Sequence, residues 1–161
     1  EEVFVLGNGP SLNKTPLYLL ENKKIMCFNH YKYLLEKTCW FPNFFCCSDN
    51  LVVSDIMKDL SFHQKISDMI FLLAFHLRGD DYINREINKN KIYWTFPKNG
   101  RGFSKNLPYI YPGSSVVMDG LQILKYLGFK KIYLIGVDMN YVIHKSSINK
   151  QFNPLIGDFL K

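Results

Sequence analysis

The chain of 161 residues is 47% hydrophobic and 16% aromatic, which excludes a disordered protein and predicts one globular domain with a sizeable core. Its formal net charge of +6 suggests an anionic partner, such as a sugar nucleotide, an acidic glycan or a phosphate-rich membrane surface. The lysines are scattered through predicted turns and helix ends, which is typical of a solvated surface and disfavours a nucleic-acid partner.

A buried strand is predicted at the start of the chain, because Val3 to Leu6 are apolar and two of them are β-branched. The glycine-rich turn after it is the first candidate site. It contains Gly7, Asn8, Gly9, Pro10 and Ser11. Glycines let the backbone approach a phosphate or sugar, and proline suits the first position of a helix, whose free N–H groups favour an anion. The turn therefore predicts a nucleotide-binding loop, with a plain βα turn as the alternative.

The second predicted strand, Ile25 to Phe28, follows a short predicted helix that has Thr15 as its cap and Pro16 at its first position and that ends at residues 22–24. The strand ends in Asn29 and His30. Ligands of an open parallel sheet bind outside the carboxyl ends of the strands, so we expect Asn29 beside the glycine turn. For His30, a turn histidine without a functional role is the alternative.

The third predicted strand and its exit cover residues 42–50. We expect Asp49 to cap the following helix, Leu51 to Leu60, with its side-chain oxygen. The exit of this strand also faces the expected ligand crevice. Asp49 and Asn50 are therefore secondary candidates for contacts with an acceptor or a sugar.

Two further buried strands are predicted at Met69 to Phe75 and at Lys91 to Phe96. The segment from Phe103 to Tyr111 is rich in aromatic residues and prolines, and we expect it to be irregular.

A helix with readable ends comes next, with Ser114 or Ser115 as its N-cap and Gly128 as its left-handed C-terminal residue. Its buried face is predicted from apolar residues at helical spacing. These are Val117, Leu121, Leu124 and Leu127. A last buried strand lies within residues 130–138 and ends in Asp138.

Metal, disulfide and nucleophile chemistry receive no support from the sequence. The four cysteines have no zinc-site spacing, and we expect buried free thiols. They are Cys27, Cys39, Cys46 and Cys47. The chain also has no nucleophile elbow and no Asp-x-Asp pair of the kind that holds a metal on the diphosphate of a sugar nucleotide. No metal site is predicted.

Three segments in this order resemble bacterial sialyltransferases of the Campylobacter type. They resemble at least as closely the broader family of sugar-transferase-like proteins that also contains archaeal hydroxymethylpterin diphosphokinases and flagellin-modifying glycosyltransferases. The segments are residues 7–12, 28–31 and 114–138. The resemblance implies a Rossmann-like α/β sandwich of three layers with a mostly parallel sheet.

The resemblance also implies a set of nucleotide-binding residues. They are Gly7, Asn8, Gly9, Pro10, Ser11, Asn29, His30, Ser114, Ser115 and Asp138. In the sialyltransferases an Asn at the place of Asn29 contacts the nucleotide, and a Gln stands where this chain has His30. By the same analogy, Ser114 or Ser115 would contact the nucleotide or the donor sugar.

The resemblance is less complete around the reaction centre. Tyr141 is the nearest match to a tyrosine that helps to hold the leaving phosphate. The catalytic base of the sialyltransferases is a histidine in a later lid segment, and His144 lies too close behind Asp138 to match it, so no general base is assigned. Gly113 stands where those enzymes have an Arg, a departure that weakens the case for sialic acid as the donor sugar.

These observations together predict a bacterial glycosyltransferase of polysaccharide or lipopolysaccharide biosynthesis. It would move a sugar from a nucleotide-activated donor, CMP-linked by preference, to a cell-surface glycan, without an obligatory cofactor. One alternative is an ATP-dependent diphosphokinase acting on a pterin alcohol, with Mg²⁺ held by carboxylates such as Asp49 and Asp138. Another is a non-catalytic domain that binds a nucleotide sugar.

The expected location is the cytoplasm, because no apolar run reaches membrane-spanning length and no signal peptide is recognisable. Peripheral association with the inner membrane surface and formation of an oligomer are both compatible with the sequence. The chain starts directly on a predicted strand. We therefore interpret residues 1–161 as a single nucleotide-binding domain taken from a longer protein, with its lid segment missing or partial.

Overall fold

The computed structural model describes residues 1–56, 58, 68–113 and 115–138, apart from the side chain of Tyr82. Seven strands lie in these ranges, and every neighbouring pair is parallel. They are β1 (Glu2–Leu6), β2 (Ile25–Phe28), β3 (Phe44–Cys47), β4 (Ile70–Ala74), β5 (Ile92–Pro97), β6 (Tyr109–Ile110) and β7 (Lys131–Ile135). The expectation of an α/β protein with a parallel sheet is confirmed.

The strand order is β6-β5-β4-β3-β2-β1-β7. The chain adds β2 to β6 on one side of β1 and then returns to place β7 on the other side. In register, Leu6 of β1 lies opposite both Cys27 of β2 and Ile135 of β7. The order of strands therefore reverses at β1, and crevices at such a point are the usual ligand sites of open α/β sheets.

Helices cover both faces of the sheet. The α-helices are α1 (Lys32–Leu35), α2 (50–56), α3 (Asp81–Glu86) and α4 (Val116–Tyr126). Short 3-10 helices cover Pro10–Lys14, Leu17–Leu20, Phe75–Gly79 and Lys89–Lys91. The part of the predicted helix beyond residue 56 lies, apart from residue 58, outside the described residues.

Alternating strand residues divide the core into two layers, because successive side chains of a strand point to opposite faces. On β2, Cys27 belongs to the cluster that includes Val52 and Ile56 of α2. Met26 and Phe28 instead belong to the cluster that includes Ile123 and Leu124 of α4. Burial on both faces explains why the central strands β2, β3 and β4 are continuous apolar runs. The prediction of buried strands was wrong for β7, an edge strand with Leu134 52% exposed, and for β5, whose Tyr93 is 58% exposed.

The first helical segment differs from the prediction. After the glycine turn the chain forms a five-residue 3-10 helix, with Pro10 at its first position as expected. Thr15 does not cap the next helix. Its hydroxyl donates to the carbonyl oxygen of Ser11 at 3.2 Å, and Pro16 occupies the capping position without a side-chain cap.

Strand β6 is a second difference, because the segment expected to be irregular contains it. Its two residues extend the sheet through backbone bonds, among them one from Lys98 N–H to Ile110 O at 2.9 Å. The buried side chain of Gln122 on α4 holds the adjoining Tyr111, accepting from its N–H and donating to its carbonyl, both at 2.9 Å. A two-residue strand is too short to show periodicity, and its position depends on α4.

Candidate nucleotide-binding site

The loops after β1 and β7 are joined at the carboxyl edge of the sheet. Gly7 N–H donates to Ile135 O at 2.9 Å, and Gly9 N–H donates to Gly136 O at 2.8 Å. A Cβ atom at Gly7 would overlap the Gly136 carbonyl, and one at Gly9 would lie 2.6 Å from Asp138 Oδ2. The glycines of the predicted nucleotide loop are therefore required for the approach of two strand exits.

Asp138 completes this junction by binding Ser11. The Ser11 N–H donates to Oδ2 at 2.8 Å, and the Ser11 hydroxyl donates to Oδ1. The N–H group that was expected to receive an anion at the start of a helix is thus already paired with a carboxylate of the chain. The helix behind it is a five-residue 3-10 segment, so the helix-dipole part of that expectation has little support.

Asn8 links the glycine loop to the exit of β2. Its Nδ2 donates to Phe28 O at 3.2 Å, which brings Asn8 next to Asn29, as expected from the parallel sheet. Asn29 has a φ of 47°, a left-handed conformation that Asn tolerates better than most residues. It is only 9% exposed, and within the described residues its Oδ1 has no hydrogen-bond partner.

His30 follows as a partly buried side chain. Burial lowers its pKa, against the opposing charges of Asp55 and Asp49. The ring is therefore neutral at pH 7 and can both donate and accept hydrogen bonds.

The N-terminus of α4 is capped by Ser115, whose Oγ accepts from Val117 N–H at 3.3 Å. This confirms Ser115 as the cap. A Cβ atom at Gly113 would lie 2.6 Å from Met118 Cβ, so the packing leaves no room for the Arg of the sialyltransferases. Ser114 and Tyr141 lie outside the described residues.

Asp49 caps α2 as predicted. Its Oδ1 accepts from Leu51 N–H at 2.8 Å and from Val52 N–H at 3.4 Å. The neighbouring Asn50 borders a depression of about 300 Å³ beyond the ends of β3 and β4. The other residues that line it are His76, Leu77, Gly79 and Asp80.

A second depression of about 240 Å³ lies at the opposite, amino edge of the sheet, beside Lys24, Ile25 and Asn43. It is distant in the fold from the glycine loop, and no sequence pattern pointed to it. Neither depression is lined by the residues of the predicted nucleotide loop.

Most of the apolar face predicted for α4 packs on the sheet, since Leu124 is fully buried and Val117 and Leu121 pack against the same cluster, whereas Leu127 is 48% exposed. The helix also buries four residues outside the leucine spacing, namely Asp119, Gly120, Gln122 and Ile123. Gly120 brings this part of the helix close to the sheet. A Cβ atom there would lie 2.7 Å from Met26 Sδ and from the Phe28 ring, so glycine lets the helix lie close against β2.

Asp119 is the residue of this edge that sequence reasoning missed, because apolar spacing does not identify a buried acid. It is 7% exposed, and Ser48 at the exit of β3 provides a hydrogen bond to its carboxyl group. Among the described residues its Oδ1 has no hydrogen-bond partner. Burial raises the pKa of Asp119 to about 6, although the bond from Ser48 acts in the opposite direction. The only available signal was an acidic residue beside a helix glycine.

The remaining expectations were those on cysteine, metal and membrane. Cys27, Cys46 and Cys47 are buried thiols as expected, whereas Cys39 is exposed. Within the described ranges, no group of three or more His, Cys, Asp or Glu side chains is arranged to hold a metal ion. No helix in those ranges combines the length and apolarity needed to cross a membrane.

Comparison with known proteins gives one match. The family model for 6-hydroxymethylpterin diphosphokinase MptE-like proteins matches residues 1–144. No curated protein and no solved structure matches the chain. The broader of the two resemblances is thereby confirmed, while a specific relation to sialyltransferases has no separate support. Because the match covers most of its length, the chain belongs to the 6-hydroxymethylpterin diphosphokinase MptE-like family.

Proposed function

We propose that this protein is a nucleotide-dependent transferase whose nucleotide lies at the carboxyl edge of β1, β2 and β7. The observation that carries the proposal is the junction of Gly7, Gly9 and Asp138, which holds two distant loops together at the point where the strand order reverses. Asn8 and Asn29 lie directly beside this junction and offer amide groups to a ligand.

The electrostatics of the junction suggest the orientation of the nucleotide. Asp138 brings a negative charge to the glycine loop, and both of its oxygens already accept from Ser11. A phosphate placed against this carboxylate would be repelled, whereas ribose or base groups would not. We therefore place the nucleoside over β1 and β2, and the phosphate on the side of the junction away from Asp138.

Sugar transfer is the first candidate reaction. The oxygen of an acceptor hydroxyl would attack the anomeric carbon as the bond from that carbon to the phosphate oxygen breaks. The nucleotide, CMP by preference, would leave with the electron pair, and the proton of the acceptor would pass to a base not assigned here. Asp49 already caps a helix and Asp138 already accepts hydrogen bonds from Ser11. Sugar transfer fits these contacts because it does not require either carboxylate to bind a metal ion. Asp49 and Asn50 remain candidates for acceptor contacts.

Diphosphate transfer is the second candidate, and the family match favours it. The oxygen of a pterin alcohol would attack the β-phosphorus of ATP as the bond from that phosphorus to the α,β-bridging oxygen breaks. AMP would leave with the electron pair, and the proton of the alcohol would pass to a base. Asp49 follows β3 and Asp138 follows β7, and β2 and β1 lie between these strands, so one Mg²⁺ cannot bind both carboxylates. Mg²⁺ would instead bind one of them together with phosphate oxygens and water, a coordination that is common for this ion.

A thermal-shift comparison of CMP, UMP, AMP and ATP, each with and without Mg²⁺, tests these proposals. We expect CMP to raise the melting temperature most, with no requirement for Mg²⁺. The variant Asn8→Ala should lose this shift, whereas Asn13→Ala, an exposed residue of the same loop segment, should keep it. Stabilisation by ATP only in the presence of Mg²⁺ would replace sugar transfer with diphosphate transfer. An unchanged melting temperature with every nucleotide would refute nucleotide binding.

A further inference from the structure

We propose that Asp119 contacts the nucleoside, accepting a hydrogen bond from an amino or hydroxyl group of the ligand at the exits of β2 and β3. This inference rests on the proposed nucleotide site and adds to it a residue that selects among nucleosides.

The fold fixes the place of Asp119 through its neighbour Gly120. Because Gly120 lies against Met26 and the Phe28 ring, the first turns of α4 are held close to the end of β2. The bond with Ser48 ties the same turn to the exit of β3. Phe28 and Cys46 are register partners, so these two exits are adjacent. Asp119 is therefore at the edge where Asn29 also lies.

The chemistry follows from what is left unpaired there. Within the described residues, the buried side-chain oxygens and nitrogens without a hydrogen-bond partner are two oxygens, Asn29 Oδ1 and Asp119 Oδ1. An unpaired buried acceptor costs about 1–3 kcal/mol, so such atoms call for an explanation. An amide oxygen and a carboxylate oxygen both require a donor, which a phosphate cannot supply when ionised. The exocyclic amine of cytosine or adenine can supply it, and so can the hydroxyls of ribose.

Asp119 also fits a ligand better than a purely structural role. It is 7% exposed and provides no capping bond to α4, because Ser115 already fills that position. A structural carboxylate would be expected to have both oxygens paired, as Asp138 has. Oδ1 is buried, so a donor group of the ligand reaches it only when neighbouring atoms move aside, and the hydrogen bond that forms would offset that movement.

The experiment measures the affinity of the full chain for CMP, 2′-deoxy-CMP and UMP by titration calorimetry at pH 7.5. For the wild type, a preference for CMP over UMP would identify the base amine as the donor, and a preference for CMP over 2′-deoxy-CMP would identify ribose. We expect one of these preferences to be at least tenfold, and Asp119→Asn to reduce it to less than threefold. Asp119→Ser serves as a second variant in case the amide disturbs folding.

Asp81→Asn is the matched control, since Asp81 is also an acid in the first turn of a helix but is 87% exposed on α3. It should keep the wild-type preference. If the wild type binds none of these three nucleotides and no nucleotide raises its melting temperature, the proposed function fails and this inference fails with it. If the wild type binds CMP and both Asp119 variants retain its full preference, only the role of Asp119 is refuted, and the unpaired oxygen is then satisfied by water.

Discussion

Two carboxylates at the carboxyl edge of the sheet, Asp138 and Asp119, are satisfied to different degrees. Asp138, after β7, has both oxygens bonded to Ser11 and forms part of the junction of two loops. Asp119, in the first turn of α4, has one oxygen without a partner among the described residues. The comparison teaches that the polar groups of a motif typical of ligand binding can already be hydrogen-bonded within the protein. Asp119 belongs to no such motif, and its Oδ1 can still accept a hydrogen bond.

The largest expected effect concerns the junction itself. Gly7→Ala places a methyl group onto the Gly136 carbonyl, and because the obstacle is backbone, the two loops must separate. We expect a loss of about 3 kcal/mol or more in the free energy of unfolding, measured with urea. Gly79→Ala is the control, since a Cβ atom there meets nothing within 4 Å. Equal stabilities of the two variants would show that the junction tolerates a side chain.

The next effect concerns the helix that carries Asp119. Leu124 is fully buried against the sheet and Leu127 is 48% exposed, although both belong to the leucine spacing read from the sequence. Leu124→Ala should therefore cost about 2–5 kcal/mol, and Leu127→Ala less than about 1 kcal/mol. A similar loss from both substitutions would mean that the C-terminal end of α4 is buried as well, contrary to the structure.

The leucine spacing also shows where sequence reasoning was sufficient and where it was not. The central strands were predictable, because burial on both faces makes each a continuous apolar run, and Ile25–Phe28 was predicted with its observed bounds. The caps Asp49 and Ser115 were predictable because capping is local chemistry. The burial of Asp119 on α4 was not, since it depends on how closely Gly120 approaches a strand almost a hundred residues away.

For the candidate site, the sequence indicated which residues meet and missed how they bond. The place of Asn29 beside the glycine loop was predictable, because ligand sites lie at the carboxyl ends of parallel strands. Asp138 entered the predicted site through the family resemblance, and its place follows from the pairing of β7 with β1. That Asp138 would take the N–H of Ser11 depends on the path of the chain after Gly136, which has a φ of 68°. No local pattern specifies that path.

Replacing Asp138 tests the carboxylate whose two oxygens both accept hydrogen bonds. In Asp138→Asn the amide oxygen can accept only one of the two bonds from Ser11, and the amide NH₂ faces a donor. We expect a loss of about 1–2 kcal/mol in the free energy of unfolding at pH 7, measured with urea. Ser11→Ala keeps the hydrogen bond from the backbone N–H and removes the one from the hydroxyl. Its loss in the free energy of unfolding should therefore be smaller than that of Asp138→Asn. A variant Asp138→Asn as stable as the wild type would mean that these bonds contribute little.

The smallest expected effect concerns Asp119 and is a gain in the free energy of unfolding, whereas the other substitutions cause a loss. Its pKa is about 6 in the folded protein and about 3.9 in an unfolded chain, so protonation favours the folded state. This stabilisation is complete below pH 4 and is lost as the pH rises through 6. Asn does not titrate, so Asp119→Asn should gain stability over the wild type between pH 4 and 6 and keep the gain above that range. With allowance for solvent screening we expect a gain on the order of 1 kcal/mol at pH 7.5, read from urea denaturation across pH 4–8. If the difference in unfolding free energy between the wild type and Asp119→Asn does not change from pH 4 to pH 8, the Asp119 carboxyl is ionised over that whole range. Asp119 and Asp138 would then differ only in their hydrogen bonds.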